Sequence, residues 1–220
     1  MLARAVDGQE EGLWIRAERQ TAGRGRMGRD WASPPGNLYT STLVRLRLTD
    51  PPAATLGFVA AIALDKILSI YARDAAFHIK WPNDVMANGA KLSGILLERT
   101  GDAIVVGIGV NLASHPNFTD RLTTSLATLT GSAPDPGIFL EYLVEAFARS
   151  VALWRSEGLA PILAQWQARA HPVGAALKIN LPDGELLNGL YDGLNADGAL
   201  RLRLADGAVR VIHAGDVFLI

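Results

Sequence analysis

Residues 77–112, FHIKWPNDVMANGAKLSGILLERTGDAIVVGIGVNL, decide the reading of this chain. Phe77 and Ile79 alternate with polar neighbours and begin a strand. Asn88-Gly89 is the best hairpin turn in the sequence, since both residues tolerate the positive φ of a type I′ turn; it joins 84–87 to 91–98. The run AIVVGIGVNL, residues 103–112, reads as a central strand. Working outward, LWIRAE (13–18) and LYTSTLVRL (38–46) are further strands, and residues 1–6 are the end of a helix closed by Asp7-Gly8. Asp50 is expected to cap a helix with Pro51 and Pro52 in its first turn and Leu56, Val59, Ala63, Ile67 and Ile70 on its buried face. Residues 113–136 are loop-rich. Beyond them Leu140, Leu143, Val144, Phe147, Val151 and Trp154 recur at helical spacing, and a second helix covers about 159–169. After His171-Pro172 the pattern changes: Asp-Gly at 183–184, 192–193, 197–198 and 206–207 separates short alternating segments, as in a meander closing into a small barrel. The expected architecture is α+β, with a mixed sheet flanked by helices over 1–170 and a small β-barrel over 173–220.

The composition narrows the function. The chain has 220 residues, 49% hydrophobic and 20% charged, with 21 Lys+Arg against 22 Asp+Glu. A net charge of −1 gives no global pull toward nucleic acid, so no nucleic-acid partner is expected. The absence of Cys removes disulfides, thiolate zinc sites and Cys nucleophiles from consideration. The apolar stretches at 56–64 and 103–110 are shorter than the roughly 18–20 residues that cross a bilayer, and no apolar signal segment is found at the N-terminus. The expected compartment is the cytoplasm, without a membrane partner.

The most unusual segment is GRGRMGR, residues 23–29. Gly23, Gly25 and Gly28 satisfy the spacing of a dinucleotide fingerprint, but that motif needs its last glycine to open a helix. Pro34, Pro35 and Gly36 follow too closely for one. What remains is three arginines, Arg24, Arg26 and Arg29, on a permissive backbone. Planar cations beside accessible main-chain N–H groups suit a phosphate or carboxylate, and a solvated basic loop is the plainer alternative. Lys80-Trp81-Pro82-Asn83-Asp84 then places a cation, an aromatic, a side-chain carbonyl and a carboxylate at a strand end. Asn83 and Asp84 can hold Mg²⁺ with a nucleotide phosphate, although Pro-Asn-Asp is also turn chemistry. Lys91 returns across the hairpin and can neutralise charge on a reacting carboxylate or phosphoryl group. Gly94 marks either close approach of a ligand or a bulge. Gly107 and Gly109 leave room in the central strand, and Asn111 puts an oxygen donor at its end. His78, His115, His171 and His213 are scattered and read as structural or surface residues.

Taken together, Gln20 with GRGRMGRDWASPPGNLYTS, KWPNDV, AKLSGILLE and GIGVNL resemble the biotin–protein ligase family, in the family's order and spacing. The resemblance runs from about Leu2 to the C-terminus, including the closing AGDVFLI. It implies a class II synthetase-like biotin/lipoate ligase fold with an SH3-like C-terminal domain. It also implies ATP-dependent formation of biotinyl-5′-AMP, then transfer of biotin to a lysine on the biotin carboxyl carrier domain of a carboxylase. Carried over by motif, Gln20, Gly23, Arg24, Arg26, Lys91, Gly94 and Gly107 belong to the biotin site. Arg26, Arg29, Trp31, Asn83, Asp84 and Asn111 serve the nucleotide, with Asp84 and Asn83 toward Mg²⁺. Lys91 and Arg26 contact the reacting groups. The resemblance points to the class without a helix-turn-helix domain, acting as monomer or homodimer. The family's first strand and its Ser-Thr-Asn segment are not found upstream of MLARAVDG, so weaker biotin binding is expected of this chain. Lipoate or octanoate ligases and transferases of the same fold are the nearest alternative.

Overall fold

The computed structural model describes residues 1–119 and 121–220. Its centre is β6 (Ala103–Val110), where alternation divides the molecule into two sides. Ile104, Val106, Ile108 and Val110 face the main core, whereas Val105 faces the opposite side with Ala103. Around β6 lie β1 (Trp14–Ala17), β2 (Leu38–Arg45), β3 (Phe77–Lys80), β4 (Asp84–Ala87) and β5 (Ala90–Thr100), in the order β1-β2-β6-β5-β4-β3. Every strand pair is antiparallel where a mixed sheet was expected; the parallel element is an isolated bridge between Lys91 and Thr123. From β3 to β6 tight hairpin connections account for this. Asn88 and Gly89 take φ of 50° and 79°, and the strands on either side turn straight back, as the two residues lead one to expect.

One face of the sheet is covered by α2 (Leu56–Tyr71), on which α4 (Pro136–Glu157) and α5 (Ala160–Gln167) pack. The 53–71 segment is long and apolar enough to cross a membrane, but 72% of it is buried inside the protein, between sheet and helices. Asp135 starts α4 by accepting from the Gly137 and Ile138 amides, with Pro136 in the first turn, the arrangement that supplies partners to orphan helix donors. Trp154 closes this layer: it is buried, and its indole N–H donates to Thr55 Oγ1 at 2.8 Å.

Two expectations about α2 need correction. Its helix begins at Leu56 after a short 3₁₀ turn, not at Asp50; the second of two prolines forces the first out of helical geometry, and Pro52 itself is extended at ψ 133°. Asp50 instead accepts from the Arg47 amide and from Arg155. Ile70 is 62% exposed, because the last turn of the helix runs past its cover. Within the loop-rich 113–136, the short helix α3 (Leu126–Thr130) is capped by Ser125.

The opposite face of the sheet carries little: α1 (Leu2–Val6) contributes Ala5 to a small cluster with Leu43, Ala103 and Val105. The C-terminal strands β7 (Ala176–Asn180), β8 (Leu186–Leu194), β9 (Leu200–Arg203), β10 (Val209–Ile212) and β11 (Asp216–Leu219) form a second antiparallel sheet. Its order is β10-β9-β8-β7-β11, so it is an open sheet and not the closed barrel expected. Three of the Asp-Gly pairs turn the chain, but Asp192-Gly193 lies inside β8, where the pairing shifts between Tyr191 and Leu194. This sheet joins the main core directly. The Trp81 indole donates to the Gly198 carbonyl at 3.1 Å, and a Cβ at Gly198 would sit 2.3 Å from the Phe58 ring, so glycine lets that turn close onto α2.

Candidate functional site

The lightly covered face of the six-stranded sheet is the floor of a cavity of about 860 Å³. Loop 20–32, the ends of β3 and β4, the start of β5 and the first residues of β11 make its walls. Because side chains alternate, Gly107 and Gly109 lie on the floor while Ile108 points to the helices. Gly94 of β5 pairs directly with Gly109, and Leu96 with Gly107. The Trp31 indole rests on this glycine platform. A Cβ at Gly109 would come within 2.7 Å of the ring, and one at Gly94 within 2.9 Å. At Gly107 the nearest atom is the Leu96 carbonyl oxygen at 3.5 Å, an ordinary contact, so Trp31 does not crowd that position. Gly109, although part of the GIGVN stretch, was not among the expected site residues; its two-residue step from Gly107 is the signal that finds it.

Lys91 should not share a face with Gly94, three residues away on one strand. A shift in pairing opposite Val85 and Met86 inserts an extra residue and turns Lys91 into the cavity, so the irregularity lies beside Gly94 rather than at it. Its Nζ stands 2.6 Å from Asp84 Oδ1, an ion pair rather than an aligned hydrogen bond, and 5.5 Å from the Trp31 ring centre. Asp84 also faces Lys80 Nζ at 3.9 Å. Burial pushes the Lys80 ammonium below its ordinary pKa, while Asp84 and Asp216 oppose that shift and Lys91 and Arg121 add to it.

The arginine segment is a miniature hairpin. Trp31 N–H donates to Gly23 O at 2.9 Å, Arg24 bridges Asp30, and Gly25 N–H donates to Arg29 O at 2.7 Å. Its tip places Met27 and Gly28 at φ of 56° and 71°. A side chain on Gly23 would meet the Trp31 carbonyl at 2.5 Å, so the closure requires glycine there. The hairpin sends its arginines in different directions. Arg24 reaches Glu98 of β5 at 3.7 Å. Arg26 donates to Asn83 Oδ1 and to the Gly215 carbonyl, each at 3.3 Å, and Arg29 pairs with Asp216. Burial lowers the pKa of Arg26, opposed by Asp216 and Asp84. Gln20, at the other rim, accepts from Ser33 Oγ at 2.9 Å.

Gln20, Arg24, Arg26, Arg29, Trp31, Asn83, Asp84, Lys91, Gly94, Gly107 and Asn111 thus all line one cavity, and Gly23 shapes the loop beside it. The amides of the two asparagines are engaged inside the protein. Asn83 accepts from Arg26 and donates to the Ile95 carbonyl, and buried Asn111 donates to the Thr124 carbonyl at 3.0 Å. His78 and His171 also line the cavity, with rings stacked 5.9 Å apart, where structural or surface positions were expected. Burial, aided by His78 and Lys80, pushes His171 down to about 4, so the ring is neutral at neutral pH. Gly215 and Asp216 lie in the closing AGDVFLI but were not expected at the site, because their partners there are remote in sequence. Among the described residues no three His, Asp or Glu side chains converge as metal ligands. Asp84, a single carboxylate already facing two lysines, fits a cation carried largely by phosphate oxygens and water rather than a resident metal.

Comparison with known proteins gives a consistent result. The chain matches the model of the biotin/lipoate A/B protein ligase family over residues 4–112 and that of the biotin protein ligase C terminal domain over 175–220. It is 42% identical to a biotin–[acetyl-CoA-carboxylase] ligase of Paracoccus denitrificans, over 93% of this chain and 89% of the relative. A ligase of the same name from Mycobacterium tuberculosis is 34% identical, over 99% of this chain and 83% of the relative. A biotin protein ligase from Aquifex aeolicus in complex with biotin and ATP superposes with a TM-score of 0.85 at 26% identity, covering 96% of this chain and 90% of that one.

Proposed function

Because the chain belongs to the biotin/lipoate A/B protein ligase family, we propose that it is an ATP-dependent biotin–protein ligase that acts on a carboxylase biotin carrier domain. In the first step a biotin carboxylate oxygen bonds to the α-phosphorus of ATP and pyrophosphate leaves, giving biotinyl-5′-AMP. In the second, the ε-amine of a carrier lysine attacks the acyl carbon, AMP departs, and the amine loses its proton. Mg²⁺ enters with the nucleotide as part of the substrate, and Asp84, with Asn83 beside it, is the group placed to meet it.

The observation that carries this reading is the position of Lys91, an ammonium held over a glycine floor beneath an arginine hairpin. Biotin's fused ring needs a flat, side-chain-free surface, which supports assigning it to the floor at Gly107, beside Gly94 and its Trp31 ring, with Gln20, Gly23 and Arg24 at the same end. Its carboxylate would then reach Lys91, whose charge offsets the negative charge that builds up as the anhydride forms. Arg26 and Arg29 offer fixed guanidinium donors to the phosphate, and Trp31 and Asn111 border the nucleotide. The acyl-adenylate hydrolyses in water, so a hairpin that covers it protects the intermediate until the carrier lysine arrives. The division of labour follows: 1–170 supplies the chemistry, and 173–220 supplies a wall of the same cavity. The cytoplasm, where carboxylases and ATP meet, is the compartment this activity requires.

Pyrophosphate exchange into ATP tests the proposal. Exchange should appear on adding biotin and not lipoate. Lys91→Ala should lower it about 10²–10³-fold, the usual cost of removing one group that stabilises developing charge, while leaving the melting curve unchanged. Exchange with lipoate alone, or undiminished exchange in folded Lys91→Ala, would overturn it.

A further inference from the structure

The C-terminal sheet meets the arginine hairpin through two consecutive residues. Arg26 Nη2 donates to the Gly215 carbonyl, and Arg29 Nη2 pairs with the Asp216 carboxylate, contacts that bridge 189 and 187 residues of sequence. The receiving end is held firmly. Asp216 pairs with Asn180 in the β11–β7 ladder, and Gly215 lies so close to β7 that a Cβ there would be 2.9 Å from Ile179 and 3.1 Å from the Asn180 carbonyl. The Asp216 side chain is only 17% exposed, against 44% for Arg29. The other end is tied to the first sheet through longer side-chain contacts, Arg24 to Glu98 at 3.7 Å and Arg26 to Asn83 at 3.3 Å. Hydrogen bonds within the hairpin shape it, but Met27 at its tip is 65% exposed and takes no part in the core.

We infer that Asp216 is a positioning residue that latches the arginine hairpin to the C-terminal sheet, so that Arg26 and Arg29 stand over the cavity before any anion arrives. This rests on the adenylate-forming reading for its purpose, though not for its geometry. A guanidinium carries five N–H donors, so the pair with Asp216 orients Arg29 while leaving donors for a phosphate. Arg26 is braced the same way, between the Gly215 carbonyl and Asn83. A latch of this kind reduces the ordering that the hairpin must undergo when nucleotide binds and slows escape of the bound adenylate. It also gives the C-terminal sheet a task in the reaction: it is the fixed side to which the cover is fastened.

Asp216→Asn removes the charge at constant size, and Asp216→Glu keeps it. In ligand-free protein, trypsin should release new N-termini at Gly25, Met27 and Asp30 about 3–10-fold faster from Asp216→Asn than from the parent, as expected for loss of a half-exposed charged pair. Asp216→Glu should stay near the parental rate. Arg29→Gln should speed cleavage after Arg24 and Arg26 similarly, and adding Asp216→Asn to it should bring no further increase. With biotin and Mg·ATP but no carrier domain, escape of the adenylate limits turnover, so free biotinyl-AMP and the pyrophosphate formed one for one with it should both rise by a like factor in Asp216→Asn. Parental cleavage rates in folded Asp216→Asn, or equal acceleration by Asp216→Glu, would overturn the latch. If the parent itself makes no biotinyl-AMP, the functional reading fails, and the cleavage rates still decide the latch.

Discussion

The two faces of β6 are built from one strand and do opposite things. Toward the helices it presents Ile104, Val106, Ile108 and Val110, all nearly inaccessible. On its other side Ala103 and Val105 pack with Ala5 and Leu43, and farther along Gly107 and Gly109 bare the backbone as the floor of the cavity. The backbone hydrogen bonds are common to both faces, so the contrast lies wholly in the side chains. One face gains stability by filling space, and the other gains a binding surface by leaving it empty. A strand clamped from behind by close packing can afford a bare front, because the floor's position is set by the core and not by the residues that line it.

Cutting back a side chain behind the strand and adding one in front should therefore have separable effects. Ile108→Ala should cost about 2–4 kcal/mol of stability through the cavity it opens, measured by chemical denaturation, with little change in biotin affinity once the protein is folded. A large loss of affinity at unchanged stability would break the contrast. Gly109→Ala should do the reverse. The new methyl meets the Trp31 indole at 2.7 Å, so the ring must leave the platform. About 10–100-fold weaker biotin binding by calorimetry is expected, the equivalent of about 1–3 kcal/mol of overpacking, with a near-parental melting temperature. Unaltered binding would show that the floor has slack.

The smallest effect expected lies away from the cavity and sharpens the same division. Glu11 forms a two-pronged pair with Arg155 of α4 at 2.8 and 2.9 Å, and the Arg155 guanidinium holds its carboxyl at about 2, against an ordinary 4.5. A carboxyl depressed in the folded state adds stability above its unfolded pKa. That stability is therefore complete above about 4.5 and is lost as the pH falls toward 2. Since Glu11 is 36% exposed, solvent screening leaves only about 1 kcal/mol. Denaturation at pH 6 and pH 3 should show a fall in stability that is smaller by roughly half that amount in Glu11→Gln, since pH 3 lies between the two pKa values. An equal fall in both proteins would remove the pair from the account.

Much of this was legible beforehand, and for local reasons. Asn88-Gly89 turns the chain because both residues accept positive φ, and the strands beside it follow from alternation. The helical spacing of Leu143, Phe147 and Trp154 marks a buried stripe that Asp135 and Pro136 open. The misreadings were equally physical. Asp50 was assigned to a helix cap by its neighbours, but Arg155, 105 residues away, claims it. Asp192-Gly193 has the composition of a turn, yet neighbouring strands hold it as an irregularity within β8. The C-terminal meander looked like a barrel because alternation announces strands and says nothing of whether the first and last of them meet.

By itself, then, the sequence determined the elements, the glycines that needed positive φ or close approach, the concentration of arginine on one loop, and the family. These depend on backbone preference and on the spacing of a few neighbours, which act over a handful of residues. Tertiary structure alone decided which face of the sheet the helices would cover, and so which glycines would form a floor. It also decided where each arginine points. Arg29 and Asp216 are separated by 187 residues, and they meet because Trp81, Phe58 and Gly198 dock the second sheet against the first. An ion pair of that kind is a consequence of packing elsewhere, and no stretch of chain around either partner foretells it.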